Sequence, residues 1–290
     1  MPEEEKIDNK IKNFWPKNGP STKKIDKYVK KYLKEKIVIK CGGRVLLDPH
    51  LFNNFIVDIA VLKKLGLTPI VVHGGGLRIK KKLDELNINS KFIMGLRVTD
   101  EKIIKVVEDV MIQFNEEIVK ALIQNKCQAK SVNIRDNNVI YAQQKNIELG
   151  YVGNPTRIDT RKINDLISND FVPVIAPMGI DQRNQAYNIN ADTAAGALAT
   201  SLKSRRLLLM TDVEGVYNKN EKLISEIKPG EADKLIYDET ITEGMIPKIR
   251  TSINAVEDGV KGVVIIDGRK PHSILFELFS DEGAGTLIRK

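Results

Sequence analysis

The segment VVHGGGLRI (71–79) joins an apolar strand to a helical pattern through three consecutive glycines. Glycine costs backbone entropy on folding, so three in a row need a reason. A bare backbone at a helix N-terminus lets N–H groups and the helix dipole approach an anion such as a phosphate. A tight strand-to-helix turn that binds nothing explains the glycines equally well, so the neighbouring sequence has to separate the two interpretations.

The same order of strand, glycine turn and helix precedes this segment. IVIKCGG (37–43) ends in two glycines, and HLFNNFIVDIAVLKKLG (50–66) has the apolar spacing of a helix. This order predicts a βαβ unit of a mainly parallel α/β sheet, in which ligands bind beyond the strand C-termini. Neither turn is a GxGxxG and the chain has no GxxxxGK[ST], which disfavours a dinucleotide-binding fold and a Walker-type nucleotide hydrolase.

The remaining chain continues the alternation of helices and strands. A long amphipathic helix is predicted at 101–125, with Thr99 or Asp100 as its cap, and a β-hairpin is predicted at 131–145 with its turn at 136–138. Further strands are predicted within 171–180, 205–217 and 261–268, and further helices near 192–203, 229–238 and 247–258.

Composition places the chain among ordinary globular proteins. Of its 290 residues, 42% are hydrophobic and 29% are charged, and no apolar run is long enough to span a bilayer. The first residues resemble neither a secretory signal nor a transit peptide. Cys41 and Cys127 lack metal-ligand spacing, so a reducing compartment is expected.

The net charge of +8 is concentrated in an N-terminal extension, where residues 1–36 carry eleven lysines against six acidic residues. No nucleic-acid-binding module accompanies this charge, so no nucleic-acid partner is predicted. The extension contains two amphipathic stretches, within 3–14 and 22–36, which are expected to dock on the domain. Their apolar positions are Ile7, Ile11 and Phe14 in the first, and Ile25, Val29, Tyr32 and Leu33 in the second.

Two cations follow predicted strands. Lys40 ends the first strand and could reach phosphate oxygens, although a lysine stem lying along the sheet with its ammonium in water is equally consistent. Arg97, in GLRVTD (95–100), could hold a carboxylate with its planar guanidinium, and a surface salt bridge is the simpler interpretation.

Two polar segments begin predicted helices. In NINAD (188–192), Asn188 and Asn190 could bind a polar ligand or brace the turn, and Asp192 could simply cap the helix. Lys248, in GMIPK (244–248), lies at a helix N-terminus and opposes the dipole; a bound anion would remove that conflict.

Taken in order, six motifs resemble the amino-acid-kinase family over about residues 36–290: IVIKCGG, VVHGGG, GLRVTD, NINAD, LLLMTDVEGVY and GMIPK. The resemblance implies a three-layer α-β-α fold with a central mainly parallel sheet and two lobes. It also implies an N-terminal helical extension at 1–35 for oligomerisation and regulation. The lobe at 36–203 would bind the acceptor and dimerise, and the lobe at 204–290 would bind ATP and an effector.

HGGG, GLRVTD and NxNAD together are similar to the members that transfer phosphate from ATP to the side-chain carboxylate of N-acetyl-L-glutamate, in arginine biosynthesis. The resemblance implies catalytic roles for Lys40 and Lys248, which would stabilise the transferred charge, and for Asp192, which would position them. Mg²⁺ would arrive with ATP, without a metal site on the protein. The other implied residues are Gly43 and Gly75 for phosphate; Gly75, Gly76, Arg97 and Asn188 for the acceptor; and Asp212, Val213, Glu214, Gly215, Val216, Tyr217, Gly244 and Met245 for the nucleotide.

Two features are similar to the arginine-inhibited branch of the family, namely the extension and the ending DGRKPHSILFELFSDEGAGTLI (267–288). They imply arginine as an inhibitor, with Glu277 and the turn from Gly283 to Gly285 as the effector site. They also imply a homo-oligomer, a dimer or a hexameric ring of dimers. The PII signalling protein is a possible partner, and the expected location is the cytoplasm, or the plastid stroma for a plastid-encoded chain.

The chemistry of the acceptor agrees with these residues. A carboxylate is already ionised at neutral pH, so its phosphorylation needs charge neutralisation and positioning but no general base. The chain has three histidines, and His73 is interpreted as a support of the glycine turn. Two alternatives remain open: another carboxylate or carbamate kinase of the same family, and a non-catalytic arginine or nitrogen sensor with the same fold.

Overall fold

The computed structural model describes residues 11, 13–242 and 244–290. The strands are β1 Lys36–Cys41, β2 Thr68–His73, β3 Phe92–Ile93, β4 Leu96–Arg97, β5 Ala129–Val132, β6 Ile140–Gln144, β7 Gly153–Ile158, β8 Val172–Ile175, β9 Met178–Ile180, β10 Ala186–Asn188, β11 Arg206–Thr211, β12 Glu226–Ile227, β13 Val263–Asp267 and β14 Gly285–Ile288. Eight of them form the central sheet in the order β12-β14-β13-β11-β1-β2-β8-β5, in which neighbours are parallel except that β14 runs against β13. A four-stranded sheet, β10-β9-β6-β7, and the β3–β4 hairpin flank it.

Helices cover both faces of the central sheet. They are α1 Ile25–Tyr32, α2 Pro49–Lys64, α3 Gly76–Glu85, α4 Glu101–Gln124, α5 Thr160–Ser168, α6 Ala191–Ser201, α7 Pro229–Tyr237, α8 Ile246–Glu257 and α9 Ser273–Phe279. Short 3₁₀ turns lie at Thr22–Lys24, Gly43–Leu46 and Ile147–Leu149. Among the described residues, no helix combines the length and apolarity needed to cross a bilayer.

Strand β1 shows why the fold has three layers. Ile37 and Ile39 belong to one buried apolar cluster, with α2 and α9, whereas Val38 belongs to a second cluster, with α6 and α8. Successive side chains of a strand point to opposite faces, so a strand without polar alternation needs cover on both sides. The predicted three-layer α-β-α fold with a mainly parallel sheet is therefore confirmed.

Most predicted elements form close to their predicted bounds, including α2, α4, α7 and α8. Asp100 caps α4, since its carboxylate accepts the backbone N–H groups of Lys102 and Ile103. The predicted hairpin at 131–145 is wrong: β5 pairs with β8 in the central sheet, and β6 pairs with β7 and β9 in the smaller one. Local alternation predicts a strand but does not choose its partner, which depends on distant residues.

The second part of the N-terminal extension packs on the C-terminal helix. Ile25, Tyr28 and Tyr32 of α1 are buried in the cluster that contains α9. The predicted apolar face is partly wrong, because Leu33 is 49% exposed and Tyr28 takes part instead. Of the first predicted stretch, Ile7 lies outside the described residues, while Ile11 is buried and Phe14 packs against the same cluster.

Candidate active site

Three charged side chains meet where the central sheet ends. Lys40 is near the C-terminal end of β1, Asp192 is the second residue of α6, and Lys248 lies in the first turn of α8. The Asp192 carboxylate contacts both ammonium groups, with Oδ1 3.0 Å from Lys40 Nζ and Oδ2 2.5 Å from Lys248 Nζ. The structure thus brings the three predicted catalytic residues together; we call them the lysine–aspartate triad.

Asp192 is free for this contact because another residue caps α6. The Asn190 side chain accepts the backbone N–H groups of Asp192 and Thr193, at 3.0 and 3.1 Å. Capping by Asp192, the simpler interpretation of its position, is therefore wrong. The general preference for Asn at a helix N-cap could have pointed to Asn190 in the sequence.

The triad is a buried charged group with a net positive charge. Burial raises the pKa of Asp192, but the charges and hydrogen bonds of Lys40 and Lys248 outweigh burial and lower it to about 2. Burial, aided by the charge of Lys40, lowers the pKa of Lys248, although Asp192 opposes this shift. Two lysines around one carboxylate leave one positive charge uncompensated, which suits an anionic ligand.

Both glycine turns lie beside the triad because β1 and β2 are adjacent parallel strands, with Cys41 opposite His73. At Gly74 and Gly75 there is little space for a side chain. A Cβ on Gly74 would lie 3.3 Å from Gly42 Cα, and one on Gly75 would lie 2.2 Å from Met111 Sδ. Gly43 adopts φ +61°, in the left-handed region that glycine tolerates best. Gly75 is thus glycine for lack of space, and Gly43 for its backbone conformation.

A cleft of about 400 Å³ opens from the triad along the second glycine turn. Lys40, Gly43, Arg97 and Asn188 line it, together with Gly74, Gly75 and Gly76. Arg97 is 7% exposed, and its guanidinium donates to Gly76 O at 3.1 Å and to Ser90 Oγ. A surface salt bridge is therefore the wrong interpretation of Arg97, which presents its guanidinium to the cleft.

Asn188 reaches the cleft from β10, where its side-chain amide donates to Thr99 Oγ1 at 3.3 Å. The predicted acceptor residues thus surround one cavity. Asn190, the other asparagine considered for a polar ligand, also lines it, and so do Lys80 and Met111, which the sequence did not point to. Met111 gives no polar signal in the sequence, whereas Lys80 lies one helical turn after the glycines.

A second, smaller cleft of about 110 Å³ lies between the ends of β1 and β11. It is lined by Lys40, Gly43, Arg44, Asp212 and Arg269, among others. Arg44 and Arg269 were missed by sequence reasoning, although each directly follows a strand-end turn. Arg44, Arg269 and Lys40 bring positive charge to this cleft, although Asp212 also lines it and the Arg269 guanidinium is paired with the Asp267 carboxylate at 2.9 Å.

The residues predicted to bind the nucleotide do not lie together in the small cleft. Of 212–217, Asp212 lines the small cleft, while Val216 is buried and its N–H donates to Thr286 Oγ1 at 2.8 Å. Gly215, at φ +154°, packs against the same threonine. Gly244 and Met245 line neither of the two clefts.

The predicted effector residues lie together, apart from the clefts. Glu277 Oε2 accepts the N–H of Ala284 at 2.9 Å, and Gly283 turns at φ +72° beside this carboxylate. Burial raises the pKa of Glu277, although the Ala284 N–H and the charges of Arg206 and Lys31 oppose it. A Cβ on Gly285 would lie 1.9 Å from Ile265 O, so this glycine is needed for strand pairing.

A glycine-rich sheet edge with paired lysines is typical of α/β proteins that transfer phosphoryl groups, and comparison with known proteins identifies the family. Residues 35–267 match the Amino acid kinase family. The chain therefore belongs to the amino acid kinase family, as the motifs predicted.

The curated relatives narrow this further. Acetylglutamate kinase of Pelagibacter ubique is 55% identical over 96% of both chains. Acetylglutamate kinase of Afipia carboxidovorans is 43% identical, over 91% of this chain and 94% of that one. This chain is thus similar to these enzymes along nearly its whole length, which includes all the motifs named above.

Solved structures agree with the fold. smu.665 from Streptococcus mutans is 30% identical, with a TM-score of 0.77 over 89% of this chain and 99% of that one. N-acetylglutamate synthase from Neisseria gonorrhoeae, solved with coenzyme A and N-acetyl-glutamate, has a TM-score of 0.83 over 91% of this chain and 62% of that one. At 23% identity, the second likeness concerns the fold alone.

Proposed function

We propose that this chain transfers the γ-phosphoryl group of MgATP to the side-chain carboxylate of N-acetyl-L-glutamate. The products are N-acetyl-L-glutamyl 5-phosphate and ADP, in arginine biosynthesis. The observation that carries the proposal is the lysine–aspartate triad at the junction of the two clefts, since Lys40 lines both. The full-length similarity to acetylglutamate kinases supports the choice of acceptor.

The reaction brings two anions together, so the protein has to neutralise and position them. Lys40 and Lys248 stabilise the charge that develops on the transferred phosphoryl and leaving oxygens, and Asp192 holds both ammonium groups in place. The N–H groups of Gly43 and Gly75 donate to the phosphoryl oxygens. The attacking carboxylate is ionised at neutral pH and needs no base. Mg²⁺ enters with the nucleotide and neutralises phosphate charge.

The larger cleft accepts the acylated amino acid. Arg97 binds its α-carboxylate with two parallel N–H donors, and Asn188 binds its main-chain polar groups. Gly75 and Gly76, which line this cleft, lie beside the acceptor carboxylate and the transferred group. The small cleft and the segment 212–217, with Gly244 and Met245, hold the nucleotide.

The decisive experiment is a coupled assay for ADP with purified protein, MgATP and a panel of acceptors. N-acetyl-L-glutamate should give turnover, and glutamate, aspartate and carbamate should give at least about a hundredfold less because they leave Arg97 or Asn188 unpaired. Turnover with another acceptor would identify a different kinase of the family. Binding of arginine without turnover of any acceptor would identify a sensor.

Arginine inhibition is the second part of the proposal. The half-buried Glu277 carboxylate and the turn from Gly283 to Gly285 would hold the guanidinium of arginine, which donates N–H groups in a planar arrangement. Contacts between α1 and α9 support coupling of the extension to this site. Deletion of residues 1–35 should weaken inhibition and reduce the hexamer to dimers in light scattering. Unchanged inhibition and size would contradict this part alone.

These assignments give each part of the chain a role. Residues 1–35 serve regulation and oligomerisation, residues 36–203 bind the acceptor and dimerise, and residues 204–290 bind the nucleotide and the effector. We keep a PII-type signalling protein as a proposed partner, tested by co-sedimentation with purified PII. The free, buried Cys41 and Cys127 fit a reducing compartment, either the cytoplasm or the plastid stroma. Fractionation of the source cells tests the location.

A further inference from the structure

A buried polar pair lies beneath the glycine turn. His73 and Asn115 are both 0% exposed, although their side chains carry strong hydrogen-bonding groups. Asn115, on α4, places its amide nitrogen 2.9 Å from Val174 O and 3.1 Å from His73 Nε2. The other ring nitrogen, His73 Nδ1, is 3.3 Å from Gly74 O. These contacts link α4 and β8 to the peptide group that opens the turn.

The network determines which nitrogen of His73 carries the proton. Val174 O can only accept, so the atom of Asn115 beside it is the amide nitrogen, which has two donor hydrogens. The second of these hydrogens points at His73 Nε2, which must therefore be the accepting nitrogen. A neutral imidazole has one donor, so the proton is on Nδ1 and is donated to Gly74 O. Burial lowers the pKa of His73 to about 4, so the ring stays neutral at pH 7.

The hydrogen bond to Gly74 O orients the next N–H group. The carbonyl of Gly74 and the N–H of Gly75 belong to one trans peptide group, in which they point in opposite directions. His73 holds the carbonyl toward the buried side of the turn, and the Gly75 N–H consequently points away from it. Within the described chain, this N–H donates to no protein oxygen, while Gly75 lines the cleft beside the triad.

Helix α4 touches the turn at a second point, one helical turn earlier. Met111 Sδ lies where a Cβ of Gly75 would be, at 2.2 Å. The Gly74–Gly75 peptide group is thus held by a hydrogen bond on its carbonyl and by packing at the following Cα. This peptide group would otherwise rotate easily, because neither Gly74 nor Gly75 has a side chain.

We propose that His73 and Asn115 are positioning residues that direct the Gly75 N–H toward the transferring phosphoryl group. Neither touches a substrate; both act through the orientation of one peptide plane. The inference rests on the proposed function, because it needs an anion at Gly75. A preorganised N–H stabilises developing charge without reorientation during the reaction, so the pair serves the rate of transfer.

The first test is the tautomer of His73 by long-range ¹H–¹⁵N correlation spectroscopy on the whole protein. With three histidines in the chain, comparison with a His73→Asn spectrum assigns the signal. We expect the Nδ1–H tautomer, unchanged from pH 8 down to about pH 5, in keeping with its lowered pKa. An Nε2–H tautomer in the wild-type protein would overturn the inference.

The second test compares two substitutions of the same residue. The Asn side chain places an amide donor near the position of Nδ1, whereas Leu fills the buried site without a donor. We expect His73→Leu to lower kcat by about tenfold to a hundredfold, less than complete loss of an oxyanion donor, with KM for both substrates within about threefold of wild type. His73→Asn should recover most of kcat. A merely structural role predicts the reverse order, because Leu packs better in an apolar site.

Phe114→Leu is the matched control, because the Phe114 ring packs edge-on against His73, with centroids 5.2 Å apart, and takes no part in the hydrogen bonds. It should lower stability but leave the tautomer and kcat nearly unchanged. Failure of wild-type turnover with N-acetyl-L-glutamate would contradict the proposed function. An active wild type with equal kcat in the Leu and Asn variants would overturn this inference alone.

Discussion

In the part of the chain that the structure describes, two groups have one carboxylate that binds two lysines, and they differ in burial. In the triad, the side chains of Lys40, Asp192 and Lys248 are 10–16% exposed. At the junction of the extension and the C-terminal segment, Asp281 binds Lys24 and Lys27 with side chains that are 49–64% exposed. We call the second group the surface clasp; the Tyr28 hydroxyl also donates to its carboxylate.

Burial decides what each group can do. Charges removed from water interact strongly and are expensive to hold, so a buried set with surplus positive charge is a site prepared for an anion. Exposed ion pairs gain little and are screened by salt, so the surface clasp adds little to the docking of α1, which depends on the buried Ile25, Tyr28 and Tyr32. Similar ionic contacts therefore belong to the proposed reaction site in one place and to an exposed, weak contact in the other.

Removal of one lysine of the triad should have the largest effect. Lys40→Ala and Lys248→Ala should each lower kcat by about a hundredfold to a thousandfold, because a charged donor at the transferring group is lost. Steady-state kinetics with N-acetyl-L-glutamate and MgATP measure this. Lys36→Ala, at the other end of β1, is the matched control and should retain activity. Turnover of the Lys40 or Lys248 variant within about threefold of wild type would contradict the assigned roles.

Neutralising Asp192 should affect both activity and acid stability. Asp192→Asn leaves two buried ammonium groups facing each other and should lower kcat by about a hundredfold. The wild-type carboxylate has a folded-state pKa of about 2, below its ordinary 3.8. The unfolded chain therefore binds more protons between about pH 4 and pH 2, and wild-type stability should fall as the pH drops through that interval.

Urea unfolding at several pH values tests this part. Between about pH 4 and pH 2, the unfolding free energy of the wild-type protein should fall by roughly 2 kcal/mol more than that of the Asn variant. This is the amount that corresponds to the pKa shift. Equal pH slopes for the two proteins would show that the triad carboxylate is not stabilised by its lysines.

A change at Arg97 should have a smaller and different effect. Arg97→Lys keeps the charge but loses the planar guanidinium, so KM for the acceptor should rise by about tenfold to a hundredfold while KM for ATP changes little. Initial rates with each substrate varied separately measure this. An equal rise of both KM values would contradict the assignment of Arg97 to the acceptor.

The surface clasp should be the least sensitive. Asp281→Asn should lower the melting temperature less than Asp192→Asn does, and the difference from wild type should shrink in high salt because the pairs are exposed. Thermal melts at low and high ionic strength measure it. A salt-independent loss larger than that of Asp192→Asn would contradict the contrast between the two groups.

Sequence reasoning predicted the elements that depend on local periodicity, such as β1, β2 and α4. It also predicted the triad and Arg97, through the resemblance of the ordered motifs to the amino acid kinase family. It failed for the 131–145 hairpin, since strand partners are chosen by non-local pairing. It missed Arg44 and Arg269, because the sequence does not show that the chain segments that carry them line the same cleft.

By itself, the sequence determined that β1 and β2 are buried strands and that glycine turns follow them, because these features depend on short-range patterns of apolar residues and glycine. Tertiary structure alone decided that Lys248 meets Asp192 across fifty-six positions of chain, and that Asn115 meets His73 across forty-two. Such contacts arise from the parallel order of the sheet and from the packing of α4, α6 and α8 on it. Burial, which separates the triad from the surface clasp, follows from the same packing.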